Sequence, residues 1–331
     1  NSFNSEKGIL TKLDKVGQFI FNNNGGMESA SNKHKLVQSL FIPKPSTVLS
    51  EIAIFSKNKL QSSEKYKTRV YDLEKLAKFE NNKAMDNLEK IRSSSKLEIY
   101  LGQAMSLAVD DVYFDINIEN SSNILILGGE NHQIPCRLFF NTILSLMFNL
   151  SFNELEFIII NGLSLDDDTN SRFDELIKET EYQIRDLKFG EVHSQIAGIK
   201  DEIEFLISKN EQSKVRKILC FIASDSFNFG LDEKNNKFLQ SNMKTILSKG
   251  PLVGYHSIIQ FNSSKLFENI FNYDCYGYFK HNIAFQMDSS DASRFVKDDR
   301  PVNLIQQDKS HTENYGYYYL KGSTKVQKFN T

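Results

Sequence analysis

Hydrophobic positions change rhythm twice along this chain, and the changes divide it in three. Over 1–50 the chain is polar, with two short β-like runs, 16–21 (Val16, Phe19, Ile20, Phe21) and 36–42 (Leu36, Val37, Leu40, Phe41, Ile42), either side of Asn24-Gly25-Gly26. Strand, Asn-Gly turn and strand predict a β-hairpin. Over 51–96, Leu73, Leu76, Phe79, Met85 and Leu88 recur among Lys and Glu, which predicts one or two amphipathic helices serving as a connector. From Leu97 strand-length apolar runs alternate with amphipathic stretches. Strands are predicted at 99–101, 112–118, 123–127, 155–161, 217–223, 255–261 and 282–287; helices at 138–149, 171–185, 194–209, 236–248 and near Ala292; and a closing hairpin at 315–320 and 325–329. That alternation predicts a single α/β domain over 97–331, with a mostly parallel sheet flanked by helices.

Composition narrows the function classes without choosing one. With 40 basic and 42 acidic residues the net charge is -2, so no global field draws the chain to nucleic acid or an anionic membrane. Its 26 Phe and absence of Trp describe a Phe-rich globular core. Cys136, Cys220 and Cys275 lie far apart with no C-x-x-C pair, which reads as thiols in a reducing cytoplasm. No apolar run approaches the roughly 18 residues of a membrane span, and no signal peptide opens the chain. A start at Asn1 reads as a fragment of something longer.

The most telling chemistry is at 123–137. An apolar run, Ile124-Leu125-Ile126-Leu127, enters Gly128-Gly129 and is followed by a long amphipathic stretch, the frame of a phosphate-binding P-loop. A working loop reads G-x-x-x-x-G-K-[ST], because backbone N–H groups must curl around phosphate, a lysine must reach the β/γ oxygens and a hydroxyl must hold magnesium. After Gly129 there is no further glycine and no lysine before the helix, and Pro135 removes a donor. Glu130 would repel phosphate. Arg137 stands where it could replace the lysine, or else face solvent or an acid. The adjacent Asp166, Asp167 and Asp168 read as a solvated loop rather than a metal site, the histidines lack zinc spacing, and no catalytic triad is evident. The tyrosines of 315–319 read as packing on a hairpin strand rather than as a base-stacking surface.

Several local segments then point one way. Ile99-Tyr100-Leu101-Gly102-Gln103 resembles an I-x-L-G lead-in; Asn141-Thr142-Ile143-Leu144 matches N-x-[IL]-[IL] on the helix after a P-loop; Lys249-Gly250-Pro251-Leu252-Val253-Gly254-Tyr255-His256 is similar to a sensor strand; and 285–294, ending at Arg294, is similar to a segment closing on D-S-R. Together they resemble the RecA-type motor domain of the FtsK/SpoIIIE/HerA family of double-stranded DNA translocases, over 97–331. The resemblance implies a P-loop NTPase (RecA-like) core. It also implies an acidic pair after the strand at 217–223, where this chain offers Asp225 without a neighbouring glutamate, and Gln and Arg after the sensor strand, where it has Phe261-Asn262-Ser263. Gly128, Gly129, Arg137 and Asp225 are then remnants of a nucleotide site, and Arg294 a residue acting across a subunit boundary or a surface ion-pair partner. The role implied by the resemblance and its departures is that of a non-hydrolysing module with no ATP or magnesium of its own, serving assembly, regulation or DNA handling beside other ATPase modules of a longer chain or in a homo-oligomer. The alternatives are a terminal module of a type VII secretion motor that docks protein substrates in an apolar pocket near Gly128–Pro135, and an active ATPase with an atypical loop.

Overall fold

Four consecutive apolar residues, Ile124 to Leu127, leave no polar face for solvent, so the strand they form must be covered on both sides. The computed structural model, which describes residues 18–21, 35–38, 50, 97–104, 111–129, 133–163, 168–222, 233–304 and 315–330, places that strand in the middle of a sheet. The chain divides into two units, Asn1–Arg69 and Val70–Thr331. In the first, β1 (Gln18–Phe21) and β2 (Lys35–Gln38) pair antiparallel with Gln18 opposite Gln38, as the hairpin pattern predicts. The Asn22–Gly26 turn and the predicted connector at 51–96 lie outside the described residues.

The second unit carries ten strands: β3 (Leu97–Ala104), β4 (Asp111–Ile116), β5 (Ile124–Leu127), β6 (Leu155–Asn161), β7 (Gln183–Asp186), β8 (Arg216–Ile222), β9 (Tyr255–Phe261), β10 (His281–Ala284), β11 (Tyr315–Leu320) and β12 (Val326–Asn330). Their order is β4-β3-β12-β11-β10-β5-β9-β8-β6-β7. From β10 to β7 all neighbours are parallel, whereas from β4 to β10 they are antiparallel. The sheet is therefore mixed, its larger part parallel as the alternation predicts and the rest an antiparallel extension. Parallel neighbours need crossover helices, and the turn of Lys321–Lys325 that joins β11 to β12 is too short to be one.

Helices α1 (Gln133–Asn149) and α2 (Asp168–Glu179) cover one face. There Leu138, Phe139, Ile143 and Phe173 pack on Ile124, Ile126, Phe157 and Ile159. Helices α3 (Val192–Lys209), α4 (Glu233–Lys249), α5 (Ser264–Phe271) and α6 (Ser289–Phe295) cover the other, against Leu125, Leu127, Ile158 and Ile160. Each fully buried Ile or Leu contributes about 1.5–3 kcal/mol, so β5 alone anchors both layers. The helix predicted over 171–185 stops at Glu179, and its last residues form the edge strand β7.

One polar residue orders the centre. Asn123, fully buried just before β5, donates through Nδ2 to the carbonyls of Leu247 (2.9 Å) and Tyr278 (2.9 Å), and its Oδ1 accepts from the Ser257 N–H (2.9 Å). It thereby ties the end of α4, the approach to β10 and the start of β9 to the strand that leads to the glycines.

Candidate functional site

At the C-terminal end of β5 the chain passes through Gly128 (φ +90°) and Gly129 (φ +91°), both in the left-handed region that glycine adopts without steric penalty. These are the residues whose N–H groups would begin a phosphate cradle. Here both donors are engaged: Gly128 N–H donates to the carbonyl of Phe261 at the end of β9 (3.1 Å), and Gly129 N–H donates to the carbonyl of Gln286 beyond β10 (2.8 Å). The turn is thus tied into the backbones of both neighbouring strands. A Cβ at Gly128 would stand 2.6 Å from the Gln286 oxygen.

Counting on from Gly128, a phosphate loop would place its second glycine, lysine and hydroxyl at 133, 134 and 135, where this chain has Gln133, Ile134 and Pro135. These three open α1, and Ile134 and Pro135 are buried. Pro135 falls in the first turn, where the N–H groups have no partner within the helix and proline is tolerated. In the loop alignment that the resemblance implies, the hydroxyl position holds a proline in the first helical turn and the lysine position a core residue.

Arg137, one turn into α1, is half-buried, and its Nη1 is buried with no hydrogen-bond partner. Burial, and then the charge of Arg172 on α2, lower its pKa. The neighbourhood matches the packing of the two helices, which stack Phe140 on Phe173 at 4.2 Å between centroids. Asp225 lies outside the described residues, as do Glu130, His132, Asp166, Asp167 and His311. Arg294, on α6, is exposed and pairs with Glu268 of α5 at 3.3 Å.

The segments similar to the sensor strand and the D-S-R motif hold structural posts. Gly254 (φ +92°) ends the 3-10 turn Gly250–Val253, donating to the Gly250 carbonyl. Phe261, where the resemblance expects polar catalytic residues, is fully buried between Phe267 and Phe271 in edge-to-face contacts of 5.7 and 5.6 Å. Ser263 caps α5 by accepting from the Leu266 N–H. Asp288 caps α6 by accepting from the Asp291 N–H at 2.8 Å, a bond that holds its carboxyl below the ordinary range. Among the described residues of these two segments, these side chains serve core packing and helix starts.

His256 is likewise internal. Its Nδ1 donates to the Ser122 carbonyl at 2.8 Å, and burial, aided by Arg216, lowers its pKa to about 4. His281, stacked on Phe114 at 4.2 Å and hydrogen-bonded to the Tyr318 hydroxyl (2.9 Å), is lowered to about 3 by burial, Lys280 and His256. Both are neutral when folded, while the unfolded chain protonates them near the ordinary 6.5. Their stabilising contribution is complete above that value and is lost as pH falls towards the folded pKa values. Between about pH 7.5 and about pH 5.5 the pair should lose about 2–3 kcal/mol of stability. Urea unfolding at the two pH values checks this, and His281→Asn should remove roughly half of the difference; equal midpoints for the native chain would refute it.

No protein-family model matches this chain, and no curated protein matches its sequence. Solved structures do match its fold. The cytoplasmic domain of the type VII secretion ATPase EccC of Thermomonospora curvata is 11% identical with a TM-score of 0.54, over 79% of this chain and 31% of that one. The pCW3 conjugation coupling protein TcpA, in its monomer form with ATPγS, is 12% identical with a TM-score of 0.55, over 85% and 82%. ATPases 2 and 3 of Thermomonospora curvata EccC, in complex with a signal sequence peptide, are 14% identical with a TM-score of 0.55, over 90% and 51%. This chain thus shares its α/β fold with these ATPase domains, and it spans about a third of the EccC cytoplasmic domain. Among its described residues no helix is long and apolar enough to cross a membrane.

Proposed function

We propose that this chain is a non-hydrolysing FtsK/HerA-like module of a larger ATP-driven translocase, cytoplasmic, working beside intact ATPase modules in assembly, regulation or DNA handling. The observation that carries the reading is the engagement of both glycine N–H groups by the carbonyls of Phe261 and Gln286. A triphosphate is held by donors and cations preorganised around its charge. In this turn the donors already have partners, the lysine and hydroxyl positions hold Ile134 and Pro135, and Arg137 lies near a second cation. Arg294, paired to Glu268, keeps a scaffold role between α5 and α6. Module boundaries at 1–50, 51–96 and 97–331 belong to the same reading.

Calorimetric titration of ATP with magnesium tests it. No saturable heat is expected up to millimolar nucleotide, and saturable binding would replace this reading with that of an active ATPase with an atypical loop. A second reading keeps the nucleotide-free state and changes the cargo to protein, supported by the presence of a secretion ATPase with a bound signal peptide among the structures of this fold. Duplex-DNA binding that falls steeply with salt would favour the DNA branch; its absence would favour the protein branch.

A further inference from the structure

A second concavity lies away from the glycine turn. Asn282, on its wall, pairs with Leu125 at the start of β5 and with Tyr319 on β11, whereas the turn sits beyond the other end of β5. The cavity has a volume of about 610 Å³ and opens between the 3-10 segment Tyr273–Tyr278, the end of α6 and the β11–β12 turn. Apolar and aromatic groups line part of it: Phe295, Val296 and Leu320, with Tyr273 and Tyr276 edge to face at 5.6 Å. Tyr273 is 55% exposed.

The charges around it are lopsided. Arg294, Lys297 and Lys321 line the cavity with one acid, Asp274, and because Glu268 offsets Arg294 the positive excess lies on Lys297 and Lys321. Two of the cations are held in place: Arg294 by Glu268 at 3.3 Å, and Lys321 by donating to the Gly277 carbonyl. Lys297 follows α6 with φ +55°, its N–H bonded back to the Ala292 carbonyl at 2.9 Å, which fixes the backbone from which its side chain leaves.

We infer that this cavity is a docking site for an acidic peptide segment carrying an aromatic or large aliphatic side chain, the apolar group seated on Phe295 and Leu320 and the carboxylates meeting Lys297 and Lys321. Basic groups beside apolar ones in a single concavity complement such a segment. A nucleic acid strand would meet the cations but offers little to the apolar lining of Phe295, Val296 and Leu320. The inference adds a place and a chemistry to the protein-docking alternative and is independent of the nucleotide reading. The ATP titration and a peptide-binding measurement can each fail alone.

The experiment is fluorescence anisotropy on the full chain with a labelled peptide of Glu and Asp around one Phe. The comparators are the same peptide with Gln and Asn in place of the acids, and oligothymidylate. The acidic peptide should bind and the neutral one should not, with affinity falling as salt rises. Lys297→Glu and Tyr273→Ala should each weaken binding about tenfold or more, with unfolding midpoints like the native chain's, and Lys200→Gln on α3 should leave it unchanged. Failure of the acidic peptide to bind, binding indifferent to both pocket variants, or tighter and variant-sensitive binding of oligothymidylate would each overturn the assignment.

Discussion

Replacing Asn123 by alanine is expected to lower the stability of the second unit by about 4–6 kcal/mol, from the loss of three hydrogen bonds whose partners stay buried. The Leu247 and Tyr278 carbonyls and the Ser257 N–H all turn to this one amide. Each buried backbone group left without a partner costs about 1–3 kcal/mol, and a single domain has only about 5–15 kcal/mol in total. Asn123→Asp should do no better at neutral pH: it keeps an acceptor for Ser257 but turns a carboxylate towards two carbonyl oxygens. Urea unfolding followed by circular dichroism measures both. An Asn123→Ala chain within about 1 kcal/mol of the native one would mean that the three segments hold together without the amide.

The sequence made β5 legible because a short uninterrupted apolar run ending in glycines has few other structural uses, and the α/β alternation followed from it. It also placed β1, β2, β6, β8, β9, β11 and β12 within a few residues. It hid β7, whose Gln183, Ile184, Arg185 and Asp186 have an exposed, polar alternation. That strand is held by main-chain pairing to β6 and by the Arg185–Glu156 ion pair, neither of which leaves a local hydrophobic signal. Pro135 misled in the other direction. Its pattern suggests a residue before the helix, yet it lies inside the first turn of α1, where its missing N–H costs nothing. Least legible was the state of the glycine turn, because the groups that engage it are carbonyls from residues 133 and 157 positions further along the chain. A backbone acceptor has no letter of its own. The absence of Lys and Ser/Thr was visible at once; that packing and capping had taken over the neighbouring positions was not.

Gly128→Ala should then separate a relic of phosphate chemistry from a requirement of the fold. If the glycine pair persisted only as a remnant of a nucleotide site, alanine would be tolerated there. The geometry gives the opposite expectation. At φ +90° a Cβ is strained wherever it points, and here it would meet the Gln286 carbonyl oxygen at 2.6 Å, with the Phe285 carbonyl oxygen at 3.0 Å. Backbone strain and the forced shift of the segment after β10 together should cost about 3–4 kcal/mol. Gly190→Ala, with nothing within 4 Å of its added methyl, should stay within about 0.5 kcal/mol of the native chain. Thermal or urea unfolding of the two variants makes the comparison. A neutral Gly128→Ala would show that the Gln286 carbonyl can withdraw, which would release the Gly129 N–H towards solvent and restore one of the donors an anion needs. The same measurement therefore bears on function: the turn can be closed to phosphate only to the extent that it is rigid, and the penalty at Gly128 gauges that rigidity.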